Sequence, residues 1–333
     1  MNRLTHIDVA KGLFMLIVVY YHSVCIFQNV CDGIYNANTH ILFDTPNLFR
    51  AFFMAGFFFV SGMTSKFKRP IKDQIISDAK MLLLPSLIIC TLTAFFYPDA
   101  LDNAEMGILR MNLLFGGGAW FVTTMFCARI LQKIILLIKN DKQRWATVIL
   151  VGLLGCIVDR IIPTRLEFWY VPKALIFVPF IEFGMSYNKL KTKKNTIETI
   201  CVLLYLILAA VLFVLGIQAP YVTGTSSLKP LVVPLFLTMA VTGSVLVYVL
   251  ASKINDNKIL EFIGRNTLVY YLTHMTFITM GCHLLAKHYD YLSFSMAQCT
   301  GIVVLLVLFA SLWSMIFSII LNTKYLKWIL GKF

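Results

Sequence analysis

Charge is scarce in this chain, and negative charge scarcest: 333 residues hold 16 Asp and Glu against 29 Lys and Arg, with 14% charged residues in all and 59% hydrophobic. That composition excludes an ordinary soluble globular domain and indicates a polytopic membrane protein. The eight cysteines lack the close pairs that a zinc or redox site needs, and are expected as small apolar residues inside helices, with only Cys31 in an outer loop. No Gly-x-Ser-x-Gly or His-Glu-x-x-His string occurs, which excludes a nucleophile elbow and a zinc-protease helix. The second half does not repeat the first, as many transporters do. No small-residue cleavage site follows the first apolar run, so that run is expected to stay in the protein.

What the chain has instead is long apolar runs. A membrane span needs about 20 mostly apolar residues, and ten stretches are candidates: 12–30, 47–64, 81–98, 119–138, 145–162, 172–188, 197–216, 230–250, 267–286 and 297–321. The expected fold is therefore all-α, a single membrane domain over 1–333. The net charge of +13 does not imply nucleic acid, because its distribution follows the positive-inside rule. With the N-terminus in the cytoplasm, 21 Lys and Arg fall on inner segments and 7 on outer ones, leaving Arg129 inside the fourth stretch. Ten transmembrane helices in the plasma (inner) membrane are predicted, with both termini cytoplasmic.

Two ionisable residues sit in the first run, Lys11 and His22, and such residues inside a span usually mark a path or a site. At ~100° per residue, the eleven steps between them make about three turns plus ~20°, with a rise of ~16 Å, so both side chains lie on one face. A cation at the cytoplasmic mouth and an imidazole half-way down suit a long anionic-headed donor, phosphates outside and reactive end inside. Coenzyme A thioesters have that shape.

Ile7-Asp8-Val9-Ala10-Lys11-Gly12, followed by His22, resembles the opening of the acyltransferase-3 family of integral-membrane O-acyltransferases, whose signature is Arg or Lys, ten residues, then His. The Asp-x-x-Lys-Gly form resembles the fucose 4-O-acetylase-like branch. Three later stretches are similar to that family in kind and order: 57–63 (Phe-Phe-Phe-Val-Ser-Gly-Met), 119–122 (Ala-Trp-Phe-Val), and 262–268 running on to His274. The resemblance implies acetyl-CoA (acyl-CoA) as donor substrate without a metal, a carbohydrate acceptor, and Asp8 and Lys11 in the donor site. It also favours the basic inner loop 66–80 as donor-facing, where some of Arg69, Lys72 and Lys80 would share the phosphates; the alternative is that these cations answer anionic lipid. Some family members pass the acyl group to an appended serine-esterase-like domain. None is expected here, so the acceptor would come to the membrane itself.

Four further residues are candidates for the acceptor or for the donor carbonyl. Arg50 lies one turn into the second stretch, where it either snorkels to the headgroups or steadies an acceptor. Trp120, after Gly116-Gly117-Gly118, is an interfacial anchor or a sugar-stacking ring. Glu182, after Pro172 and Pro179, either pairs with Arg129 or Arg50 or orients His22 as a carboxylate orients a catalytic imidazole. His274 falls about ten residues into the ninth stretch, ~15 Å deep and level with His22, with Tyr270 one turn before it as a possible hydrogen-bond partner. Pro85, just inside the third stretch, is expected to mark a bend.

Thioester-to-hydroxyl transfer needs a base and a stabilised oxyanion, and His22 is the candidate base. The expected activity is O-acetylation of a cell-surface or lipid-linked sugar from cytoplasmic acetyl-CoA. The alternative is a transporter or flippase for an envelope glycan or small acid, with His and Arg lining a permeation path.

Overall fold

The computed structural model describes residues 5–31, 34–36, 39–65, 67–96, 119–162, 168–187, 189–190, 194–222, 229–254, 256–286 and 293–332, and among them every regular element is helical. The helices are α1 (Thr5–Val30), α2 (His40–Asp44), α3 (Phe53–Thr64), α4 (Ile71–Asp78), α5 (Leu84–Phe96), α6 (Trp120–Ile135) and α7 (Asp141–Ile161). After them come α8 (Val171–Tyr187), α9 (Lys194–Val214), α10 (Val233–Ile254), α11 (Lys258–Arg265), α12 (Thr267–Ala286) and α13 (Met296–Leu321). The triglycine 116–118, the rest of the outer loop 99–118, and Arg3, Lys66, Arg110, Arg165, Lys191, Lys193 and Lys287 lie outside the described residues.

Each of the ten apolar stretches coincides with a helix, and six helical runs are long and apolar enough to cross a membrane: 5–30, 40–64, 71–93, 194–214, 233–254 and 296–321. The remaining four have identifiable reasons for falling short. α6 and α8 are only 16 and 17 residues long. α7 carries Asp141, Lys142, Arg144, Asp159 and Arg160, and α12 carries His274, His283 and four threonines. α9 turns Leu203, Leu206, Ile207, Val211 and Val214 outward, as a helix facing lipid must.

α1 is the centre of the bundle, packed against α3, α10, α11, α12 and α13. Glycines let the backbones approach there, as small residues do in membrane helix packing. A Cβ on Gly12 would stand 2.2 Å from the Leu260 carbonyl oxygen, and one on Gly264 would stand 1.8 Å from that of Asp8, so α1 and α11 interlock at both ends of their contact. α3 and α8 cross likewise, with Gly62 against the Ile181 carbonyl and Gly184 against that of Phe59. Gly12, Gly62 and Gly264 all lie in stretches that carry the family resemblance, and their role is close packing.

Pro85 does mark an irregularity. The chain between α4 and α5, Ala79–Leu83, is a π-helical turn. A proline has no N–H and crowds the carbonyl four residues back, so the preceding turn widens. Cys31 ends α1 buried rather than in an open loop, 6% exposed with its N–H on the Phe27 carbonyl.

The α7–α8 hairpin is held by buried charge. Lys173 Nζ lies 2.6 Å from Asp159 Oδ1, with both side chains fully buried. Arg144 Nε donates to Glu182 Oε1 at 3.0 Å, and Gln132 Nε2 from α6 donates to Glu182 Oε2 at 2.6 Å.

Candidate active site

A cavity of 650 Å³ opens among α1, α3, α4, α6 and α12. At one end stand Lys11, Lys68 and Arg69; along its walls are Ser61, Thr64, Ser65, Asp78, Met125 and Arg129; at the other end are the rings of Phe57, Phe121 and Tyr271. From Ser65 to Phe57 on α3, and from Arg129 to Phe121 on α6, it runs eight residues, or about 12 Å at ~1.5 Å per residue. One end is basic and the other apolar.

The wall is fixed by a polar cluster that sequence reasoning left unassembled. Arg129 grips Asp78 with two nitrogens, Nε to Oδ2 at 3.0 Å and Nη2 to Oδ1 at 3.1 Å, a fork-on-carboxylate geometry. Its Nη1 donates to Ser61 Oγ at 3.0 Å and Ser65 Oγ at 2.5 Å, and Gln74 Nε2 donates to Asp78 Oδ2 at 2.7 Å. Phe67 closes the turn between α3 and α4 with φ +43°, a left-handed conformation that a bulky residue keeps only when its surroundings hold it. Lys133 Nζ on its carbonyl at 2.5 Å and the Arg129 guanidinium 5.4 Å above its ring do the holding.

Among the expected donor residues, Lys11 and Arg69 line the cavity, and Arg69 Nη1 donates to Ser77 Oγ at 2.5 Å. Asp8 does not; it is 3% exposed and lies between Lys11 Nζ at 3.9 Å and Arg265 Nε at 3.3 Å, so it orients Lys11 and ties α11 to α1. Lys72 and Lys80 are exposed and outside the cavity lining. Gln74, Ser77, Asp78 and Met81 line the cavity at helical spacing, and Lys72, two residues before Gln74, is ~200° round the helix from it. Lys68 and Arg129 also line the cavity.

Beyond the apolar end lies a histidine pair. His274 Nε2 is 3.0 Å from His22 Nδ1, and the two rings lie 4.9 Å apart between centroids. Tyr271, a cavity-lining ring, lies 5.8 Å from the His274 ring and 5.1 Å from Phe121. The cavity thus ends one aromatic ring short of the pair. The neighbour of His274 at residue 270 is the backbone carbonyl, 3.0 Å from Nδ1, rather than the tyrosine hydroxyl.

The other candidates stand apart from the pair. Glu182 forms the expected structural ion pair, but with Arg144 instead of Arg129 or Arg50, because Arg144 enters α7 beside the same end of α8. Trp120 opens α6 against the rings of Phe121 and Tyr170 and is not in the cavity lining. Arg50 lies over the Tyr221 ring at 3.6 Å with Nη1 on Asn47 Oδ1 at 2.8 Å, while its buried Nε has no hydrogen-bond partner among the described residues.

A family model described as an acyltransferase domain matches residues 4–323. The chain belongs to the acyltransferase-3 family. Neither a curated protein nor a solved structure matches it. Membership of this acyltransferase family, with its apolar helices, makes the protein a membrane acyltransferase.

Proposed function

We propose that this acyltransferase draws an acyl-CoA, acetyl-CoA foremost, from the cytoplasm into the cavity below Lys11 and transfers the acyl group to a hydroxyl of a cell-surface or lipid-linked sugar. The observation that carries the reading is the polarity of the cavity, with three cations at its mouth and three aromatic rings at its deep end, beside the histidine pair. Its volume falls within the roughly 300–1,000 Å³ common for small-molecule sites. Lys11, Lys68 and Arg69 would take the phosphates as charge-assisted partners, and the pantetheine arm would follow the apolar wall.

Transfer then needs one base. The acceptor oxygen attacks the thioester carbonyl while His22 takes its proton; the C–S bond breaks, and the departing thiolate recovers that proton from His22. Arg50, whose buried Nε has no hydrogen-bond partner among the described residues, is the proposed contact for the acceptor. The ten-span arrangement with cytoplasmic termini belongs to this reading, since it puts Lys11 on the side where acyl-CoA is found. Because Cys31 is buried, the topology is better tested at Tyr35, which is 46% exposed. A Tyr35→Cys thiol should react with a membrane-impermeant reagent in whole cells; reaction only after the cytoplasmic side is opened would invert the arrangement.

Comparing envelope glycans by mass spectrometry with and without the protein tests the activity. A gain of one acetyl mass on a particular sugar is expected. Unchanged glycans, together with no turnover of acetyl-CoA by the purified protein, would overturn the reading.

A further inference from the structure

The histidine contact constrains hydrogens as well as rings, and the constraint runs one way along the chain of partners. His274 Nδ1 faces two backbone carbonyls, Tyr271 O at 2.8 Å and Tyr270 O at 3.0 Å. Carbonyl oxygens only accept, so Nδ1 carries the hydrogen, and in the neutral ring Nε2 is a bare lone pair. That lone pair faces His22 Nδ1 at 3.0 Å and requires a hydrogen there. The Val18 carbonyl, 3.1 Å from the same His22 Nδ1, imposes the same demand. Three carbonyls from two helices therefore leave His22 with one unprotonated nitrogen, Nε2, which is the atom a general base must offer.

The same geometry says where charge can go. His274 is 1% exposed, and its Nδ1–H sits between two carbonyl dipoles, more acceptors than a neutral N–H needs. A positive charge on that ring, brought by a second proton at Nε2, would be stabilised by both carbonyls through Nδ1–H, because hydrogen bonds to a charged donor are about twice as strong as those between neutral groups.

Resting on the acyl-transfer reading above, we propose that His274 is the positioning residue of the reaction: it holds His22 in its Nδ1–H form and receives the Nδ1 proton when Nε2 captures one from the acceptor. The balance is closed. The acceptor O–H bond breaks and the His22 Nε2–H bond forms; the His22 Nδ1–H bond breaks and the His274 Nε2–H bond forms. Both steps reverse when the thiolate leaves and takes the Nε2 proton. No oxidant or further reactant is needed, and no charged carboxylate has to be buried beside His22, the place a carboxylate fills in a serine-protease triad.

The test has two arms. In the intact protein in detergent, labelled with ¹⁵N-histidine, His22 and His274 should both show the Nδ1–H form, with a scalar coupling across the N–H···N contact. A protonated Nε2 on neutral His22 would overturn the proposal, whether or not any variant folds. For turnover, the probe is release of free coenzyme A from acetyl-CoA with water as acceptor. His274→Gln keeps an oxygen that can accept from His22 Nδ1–H but cannot take the proton. It should lower kcat by about 10- to 100-fold, the cost seen when a metal-bound histidine loses its outer hydrogen-bond partner, with KM for acetyl-CoA unchanged. Its proton inventory in mixed H₂O and D₂O should change from bowed in the wild type to linear. Wild-type kcat and a wild-type inventory in His274→Gln, with His22→Ala inactive, would remove the relay and leave His22 as base; an active His22→Ala would remove the base itself.

Discussion

In the α7–α8 hairpin Lys173 meets Asp159 at 2.6 Å, and in the cavity wall Arg129 meets Asp78 at 3.0 Å; both are ion pairs with the acid buried. They differ in what else the cation touches. The Lys173 and Asp159 side chains are both fully buried, whereas Arg129 is 16% exposed, lines a cavity, and spends a third nitrogen on two serine hydroxyls. A buried charge is costly wherever it sits, so its presence alone does not separate a helix clamp from a site. The adjoining cavity does. Glu182, held by Arg144 and Gln132 in the same seam as Asp159, belongs with the clamps.

Loss of the base has the largest expected effect. His22→Ala should cost about 10²- to 10⁴-fold in transfer rate, the usual weight of a general base, with coenzyme A affinity and thermal stability kept. Comparable turnover in wild type and variant would move the chemistry elsewhere. The two ion pairs come next. Removing one partner of a buried pair costs about 3–5 kcal/mol, whereas replacing both with apolar residues is often neutral. Lys173→Met should therefore lower the melting temperature strongly, and Lys173→Met with Asp159→Leu should recover it and bind coenzyme A normally. Arg129→Met with Asp78→Leu should instead stay folded and lose donor affinity. If both double variants behave alike, the distinction between clamp and site fails.

Smaller effects sharpen the boundary of the site. Lys11→Ala should weaken coenzyme A binding roughly tenfold, near the lower end of what a hydrogen bond to a charged group contributes, ~1.5 kcal/mol. Lys11→Arg should be tolerated, since Arg also fits the family spacing. Isothermal titration reads both; equal affinity in Lys11→Ala would confine Lys11 to topology. Lys72→Ala, on the exposed face of α4, should change nothing beyond the ~0.5 kcal/mol typical of surface substitutions.

Most helices were legible because a run of about 20 apolar residues has few other uses. The shared face of Lys11 and His22 was legible because it needs only the helical angle. Partners across helices were not. Arg129 called for a counter-charge, but Asp78 lies 51 residues away in a segment that reads as a basic cytoplasmic loop. His22 and His274 were placed at equal depth by counting residues, yet equal depth on two helices does not make them neighbours; α1 and α12 have to pack together for that. Lys72 was separable in principle, since it lies nearly opposite the face shared by Gln74, Ser77, Asp78 and Met81, whereas Lys80, three residues after Ser77, was not. Arg144 counted only as a topological charge, and nothing in the sequence near it announces Glu182.

The claim that the cavity, rather than buried charge as such, marks the donor site is tested most directly by photolabelling. A coenzyme A analogue with a photoreactive acyl group on its sulfur would be irradiated in the purified protein and the label mapped by peptide mass spectrometry. The account predicts label on α3, α6 and α12 around Phe57, Phe121 and Tyr271, lost on addition of free coenzyme A and reduced in Lys11→Ala. Competable label on the α7–α8 seam, around Asp159, Lys173 or Glu182, would contradict it.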